Sequence, residues 1–481
     1  MVLDAVIIGV YLLIINVIGV LSVKAKNMKD YFLGDNRISW PVACLSIVAT
    51  ETSTLTFISV PGLAYVSGLG FLQIAAGYII GRIVVAIFFI PRYYRGQLST
   101  VYEFLQLHFG TTPRVIVSVL FHIIRLLSDA IRLFATAIPL AFLIGWGGDY
   151  RLAIIIIGAT TVVYTLTGGI GAVVITDAIQ FILYLSSAVV AVIFTCHIMD
   201  TSFLDMFTKI PPEQLTVITG LDSGFWGLFK GYNPISGLLC GALLSIASHG
   251  TDHMMVQRVL SCKDETGAKK AMVWSGIIVF FQMALFLLLG LFIMVLFEGR
   301  FFDKPDEIMP EFIIGSIPSG LRGLMLAGLF SAAMSSLSST INSLSASTAM
   351  DILRIDKRIE SEKKQLTVSR WISFFWMIII VLIALSLNDS KSPLVELGLG
   401  IASLVYGGML AIFFQARFSE KVSSVAAISG MITGIIVTLA VSIVFDVFWT
   451  WNIPIGFVTA LVVSMFVDKI RMIIKPAFLK E

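Results

Sequence analysis

Disulfides, charge and the short signatures of enzymes are all scarce in this 481-residue chain. Its four cysteines, Cys44, Cys196, Cys240 and Cys262, are scattered with no CxxC pair, which predicts free thiols rather than a disulfide framework. Only 13% of the residues are charged and the net charge is +3, a surplus that loop topology explains without a nucleic-acid surface. There is no GxSxG elbow and no HExxH, and His249 lacks an orienting partner at catalytic spacing, so a membrane enzyme is disfavoured. Short alternating segments of the kind that build a membrane β-barrel are missing. The first apolar stretch has Asp4 ahead of it and Lys24, Lys26 and Lys29 behind it. That is not the basic n-region of a signal peptide, and it reads as a retained helix entering from outside.

What the chain has is apolar length. Hydrophobic residues make up 57% of it, the mean hydropathy is +0.95, and runs repeatedly exceed the roughly 20 apolar residues that span a bilayer. The reading is an all-α polytopic membrane protein, a single membrane domain set in a lipid bilayer. About thirteen spans are expected, beginning near Leu3, Trp40, Gly70, Arg114, Arg151, Gly171, Asn233, Ala271, Leu321, Thr367, Pro393, Ser424 and Trp451. Alternate connections gather Lys and Arg as cytoplasmic loops do: Lys24, Lys26, Lys29 and Arg37, then Arg92, Arg95 and Arg114, then Arg258, Lys263, Lys269 and Lys270. The loop after span nine (Arg354, Lys357, Arg358, Lys363, Lys364, Arg370) and the tail (Lys469, Arg471, Lys475, Lys480) continue the pattern. The outer connections hold fewer: Arg151, Lys209, Lys230, Arg300, Lys304, Arg322 and Lys391. The N-terminus is therefore expected outside and the C-terminus in the cytoplasm.

Polar interruptions at membrane depth are costly and usually mark a pathway. Span nine carries FSAAMSSLSSTINSLSAS, in which Ser335, Ser336, Ser338, Ser339 and Asn342 share about half the helix circumference. Such a row of neutral oxygens suits Na⁺, or the small residues simply let helices pack closely. Span two is interrupted by ATETST, which contains Glu51, with Pro61 and Gly62 weakening it further on. It can unwind to offer carbonyls as ligands, or stay a kinked helix whose hydroxyls bond back. Span seven is interrupted at a corresponding depth by SHGTD, and paired breaks of this kind point to an inverted-repeat transporter. His249, Asp252 and His253 raise zinc, but no further His or Cys ligand is evident. On span four, Arg125, Asp129 and Arg132 share a face and leave about one positive charge for an anion unless all three form a structural network. Asp177 in span six needs a cation or an arginine, with Arg82 of span three as one candidate partner.

Four motifs in order, the broken span two, YT..GG..AV..TD..Q, D..MVQR.L..KD and A..SS.SS..NS, make the chain resemble the sodium:solute symporter family over nearly its whole length. The resemblance implies a LeuT-type 5+5 inverted repeat: residues 3–23 as an extra first helix, 40–198 and 233–416 as the two repeats, and 424–469 as trailing helices. It implies a first Na⁺ site formed by the carbonyls of Ala49, Thr52 and Ala332 with the hydroxyls of Ser335 and Ser336. It implies a second from Asp177, Ser338 and Ser339, so one or two ions per cycle, with two expected. FHI.R in span four, with Ser53 and Thr56, is most similar to the sialic-acid transporting branch. That likeness implies Arg125, Ser53 and Thr56 around a carboxylate, Phe71 lining the pocket, and Arg132, Ser245 and Ser248 as further candidates. Ala75, where that branch would carry an amide, and the extra charges Asp129 and Arg132 depart from it.

The function implied is sodium-driven import of a small organic solute by alternating access. A carboxylate-bearing solute such as sialic acid, another sugar acid or a monocarboxylate ranks first, then a neutral sugar or polyol, then proline or another amino acid. A sensor or channel on the same fold is the alternative of another class. The expected setting is a plasma membrane, bacterial inner membrane included, with the protein a monomer.

Overall fold

The computed structural model describes residues 2–144, 149–220, 227–387, 394–419, 422–445 and 447–478. Among these residues the regular structure is helical, with one isolated bridge between Ile38 and Cys262. Helices α1 (Val2–Ser22), α2 (Trp40–Glu51), α3 (Thr54–Ser67), α4 (Leu72–Phe88), α5 (Thr111–Ile144) and α6 (Tyr150–Ile198) form the first part. They are followed by α7 (Gly241–Gly250), α8 (His253–Leu260), α9 (Glu265–Leu296), α10 (Leu321–Ser347), α11 (Glu362–Ser386), α12 (Leu394–Phe418), α13 (Ser424–Phe445) and α14 (Asn452–Phe478).

Nine helical stretches among the described residues are long and apolar enough to cross a membrane, or ten if α2 and α3, bent by 64°, count as one. The expected thirteen is not reached by that measure, for three physical reasons. Spans five and six run together as α6, although Gly169, at φ 58° and ψ −146°, breaks the helix within the GG pair of the YT..GG motif. Helix α5 is 34 residues long but carries Arg125, Asp129 and Arg132 in its middle. Span seven is divided into a π-helical turn, α7 and α8. Pro393, expected to open span eleven, lies outside the described residues, as do Lys391 and Lys480.

Helix α10 is the axis: every residue from Met325 to Ser347 is buried. A helix buried on all sides belongs to the core, and small residues let its neighbours close on it. A Cβ at Gly328 would stand 2.4 Å from the Ser187 Oγ of α6. By contrast α1, α11 and α13 bury only 22% of their apolar windows, and side chains such as Leu13, Trp371 and Ile443 face outward as lipid-facing residues do. Helix α1 is tied to the axis through Asp4, which accepts the backbone N–H of Gly320 (2.8 Å) and Gly323 (3.0 Å) and pairs with Arg322. Asp4 therefore caps the start of the serine helix.

The break between α2 and α3 falls at Thr52 and Ser53, both extended, and not at Pro61 and Gly62, which lie inside α3. Local hydroxyls cause it. Thr50 and Thr52 donate to the carbonyls of Ser46 (2.7 Å) and Val48 (2.6 Å), while the Ser53 Oγ caps α3 by accepting from the Leu55 N–H (3.3 Å). These bonds let the backbone leave the helical path at little cost. Span seven breaks alike: Asp252 is extended and caps α8 through the Met254 N–H (2.9 Å).

Candidate functional site

The last carbonyls of α2 have no partner in their own helix, and the break turns them toward α10. Ser335 Oγ donates to the Ala49 carbonyl at 3.0 Å, the one direct hydroxyl-to-carbonyl bridge between the two. Around that bridge Ala49, Thr52, Ala332 and Ser335 line a small cavity with Ser331, Gln180, Phe181 and Tyr184. All of its polar lining is uncharged.

The serine row divides by partner. Ser331, Ser338, Ser343 and Ser345 donate back to carbonyls of their own helix, at 2.6–3.1 Å. These four behave as packing residues. Ser335 and Ser339 reach off the helix, and the buried Ser336 Oγ has no hydrogen bond to a described residue. Ser336 faces a neighbouring cavity, with Ser53, Thr54, Asp129 and Arg132. Asn342 accepts from Gln257 Nε2 at 2.7 Å.

Asp177 is fully buried, and its Oδ2 accepts from Ser46 (2.6 Å), Arg258 Nη2 (3.2 Å) and Ser339 (3.4 Å). Its neutralising partner is thus Arg258 of α8, while Arg82 pairs with Glu51 and donates to Ser275 at 2.6 Å. Arg258 is itself fully buried and also donates to Ser46, Met254 O and Ser339. Arg258, read from the sequence as a loop charge, is thus a buried partner of Asp177. Arg114 joins it: 5% exposed, it is held by Asp351 at 2.7 Å.

A larger cavity of about 460 Å³, its mouth included, opens beside the α2–α3 break. Ser53, Thr56, Phe71 and Arg132 line it, with Glu51, Leu55, Val60, Tyr78, Met283 and Leu399. Arg125 is not among the lining residues. Its Nε donates to Asp252 at 3.0 Å and its Nη2 to Tyr406 at 3.0 Å, while Asp129 stands 3.9 Å away. The cation expected on the solute is thereby spent on a buried network, because Asp252 at the span-seven break supplies a carboxylate that span four alone does not reveal. Arg132 takes the place on the cavity wall, with Nη1 on Asp129 at 3.1 Å and a buried Nε that bonds to no described residue. Ser245 and Ser248 do not line the cavity; they donate to the Tyr78 and Ser245 carbonyls at 3.1 and 3.4 Å.

Tyr78 is not singled out by the sequence, and Glu51 and Arg258 stand there as an interruption and a loop charge but not as site residues. The signals existed: Glu51 sits inside ATETST, and Arg258 is the R of D..MVQR.

A broken helix packed against a serine helix around neutral and ionic pockets, in an all-helical multi-pass membrane protein, is the architecture of a secondary transporter. A sequence profile of the sodium:solute symporter family matches residues 31–434, and the chain belongs to that family. It is 28% identical to the sodium/sialic acid symporter SiaT of Proteus mirabilis, over 89% of this chain and 87% of that one. It is 27% identical to the sodium-coupled monocarboxylate transporter 1 of Xenopus laevis, over 92% and 72%. Among solved structures, the substrate-bound outward-open state of a Na⁺-coupled sialic acid symporter superposes with a TM-score of 0.84 at 25% identity, over 97% of this chain and 98% of that one. The protein is a sodium-using solute transporter and not an enzyme.

Proposed function

We propose that this protein imports a small carboxylate-bearing solute by alternating access, driven by Na⁺ bound between α2 and α10. The observation that carries the reading is the pairing of two unlike pockets at one break. On one side Ala49, Thr52, Ala332 and Ser335 offer neutral oxygens. On the other Ser53, Thr56 and Phe71 sit with Arg132, whose guanidinium has donors to spare. Charge-assisted bonds from such a group suit a carboxylate. Ser336 completes the first ion site by a rotation of its free hydroxyl.

Na⁺ there would clamp the α2 carbonyls to α10 and so order Ser53 for the solute. Ion and solute then favour the same state, which is the differential affinity that coupling requires. One ion per cycle is the stoichiometry favoured here. Arg258 already neutralises Asp177, so a second Na⁺ at Asp177, Ser338 and Ser339 would meet a like charge unless Arg258 moved away.

The corresponding breaks support residues 40–198 and 233–416 as inverted repeats, with 3–23 and 424–469 outside them. Counting α5, both halves of α6 and the divided span seven gives thirteen spans. The proposed orientation has the N-terminus outside and the C-terminus in the cytoplasm of a bacterial inner membrane, with a monomer as the working unit. Purified protein in proteoliposomes with an inward Na⁺ gradient should concentrate the solute and lose uptake when K⁺ replaces Na⁺. Equal uptake in both ions would end the symport reading, and uptake that never exceeds equilibration would indicate a channel.

A further inference from the structure

We propose that the solute is a zwitterion, held with its carboxylate on Arg132 and an ammonium group on Glu51. This rests on the symport reading and adds the other end of the solute. Glu51 is the last residue of α2, and its side chain, 16% exposed, lines the same cavity as Arg132. Its Oε2 is engaged by Arg82, with His249 Nε2 at 3.8 Å, while its Oε1 accepts no hydrogen bond from a described residue. Arg132 mirrors it, since Nη1 is committed to Asp129 and the other nitrogens bond to no described residue. The cavity therefore presents one spare carboxylate oxygen and one spare guanidinium edge.

The charges around it balance. Arg82 faces Glu51, Arg125 faces Asp252, and Arg132 faces Asp129, three cations against three anions. A monoanion would engage the Arg132 edge alone and bring a second carboxylate toward Glu51, a like-charge approach that low dielectric makes costly. A neutral sugar would leave both spare charged groups with weaker dipolar partners. A zwitterion matches both spare groups, and Phe71 and Tyr78 on the same wall supply aromatic surface that favours an ammonium group.

The test uses full-length purified protein in nanodiscs, in Na⁺ and in K⁺ buffer, with thermal stability as the readout. The probes are L-amino acids matched with their 2-hydroxy-acid analogues (alanine with lactate, leucine with 2-hydroxyisocaproate, phenylalanine with phenyllactate), together with proline, N-acetylneuraminate and glucose. At least one amino acid should stabilise the protein in Na⁺ only, at a concentration at least about tenfold below that of its hydroxy acid or of either sugar. Glu51→Gln should reduce that discrimination to less than about threefold while the shift caused by Na⁺ alone persists. If Glu51→Gln does not fold because Arg82 is left unpaired, the double variant Glu51→Gln/Arg82→Gln removes the pair together and carries the same expectation. A hydroxy acid, N-acetylneuraminate or glucose acting below every amino acid, no amino acid acting at all, or discrimination that survives loss of Glu51 would each overturn the proposal. Symport would survive the first of these outcomes, whereas a binding amino acid that a Na⁺ gradient does not drive into proteoliposomes would overturn symport and leave the binding mode standing.

Discussion

Replacing Ser335 by Ala removes one hydroxyl from the first ion site and nothing else from its wall. In the structure that hydroxyl donates to the Ala49 carbonyl at 3.0 Å, and losing such an ordinary hydrogen bond costs about 1 kcal/mol. In the ion-bound protein the variant loses an oxygen facing a charge, and a contact to a charged group contributes about 1.5–3 kcal/mol. The difference, about 0.5–2 kcal/mol, is what Na⁺ affinity should feel, a rise of roughly two- to thirty-fold in the half-saturating concentration. Thermal stability of the purified protein titrated with Na⁺ against choline at constant ionic strength reads this directly. Ser338→Ala is the internal control, because its hydroxyl donates to the Ser335 carbonyl of the same helix at 3.0 Å. It should move the midpoint by less than about twofold, since a back-bonded hydroxyl takes no part in the ion site. If Ser335→Ala leaves the midpoint unchanged, or if the two variants shift it equally, the ion does not bind between Ala49 and Ser335 and the coupling argument loses its ion site.

The two arginines of α5 should separate cleanly. Arg132→Gln is expected to weaken solute binding by about 1.5–3 kcal/mol with the Na⁺-induced shift intact, whereas Arg125→Gln, which orphans buried Asp252, should destabilise the fold by about 3–5 kcal/mol. Isothermal titration against thermal unfolding distinguishes them, and a stable Arg125→Gln protein with lost affinity would return Arg125 to the solute. Asp177→Asn should lower the melting temperature by leaving Arg258 unpaired, yet leave the charge moved per solute unchanged in electrogenic uptake; a loss of one charge per solute would restore a second sodium site.

The backbone pattern was readable because it depends on local chemistry. Hydroxyl-rich ATETST and SHGTD both mark real breaks, at Thr52–Ser53 and at Thr251–Asp252, and GG at Gly168 and Gly169 marks the kink of α6. Pro61 misled because the groove around it compensates: Gly290 of α9 packs against it so closely that a Cβ there would stand 2.1 Å from the Pro61 carbonyl. The span count depended on the measure used, since α5 reads as apolar only when its charged middle is discounted.

Charge pairing was the part a sequence does not disclose, and the reason is topological. Arg125 and Asp129 are four residues apart and looked like a pair, but the closer carboxylate is Asp252, brought in by the break of a distant helix. Arg258 and Arg114 sit near span ends, where the positive-inside pattern assigns them to the cytoplasm, and both instead close over a buried aspartate. In each case the acid and the base lie on different spans, and only the fold decides which carboxylate each arginine meets. Once the pairs are fixed, what remains unpaired becomes informative: around the broken helix the Ser336 hydroxyl, Asp177 Oδ1, Gln180 Oε1 and Arg132 Nε are among the buried polar atoms that bond to no described residue, and Glu51 keeps an oxygen to spare on the cavity wall. Leaving such groups unsatisfied in a membrane core costs stability. Ligands that come and go are the partners for which a transporter bears that cost, so under the function proposed above the unpaired groups at the break, more than the paired ones, are those to test for ion and solute.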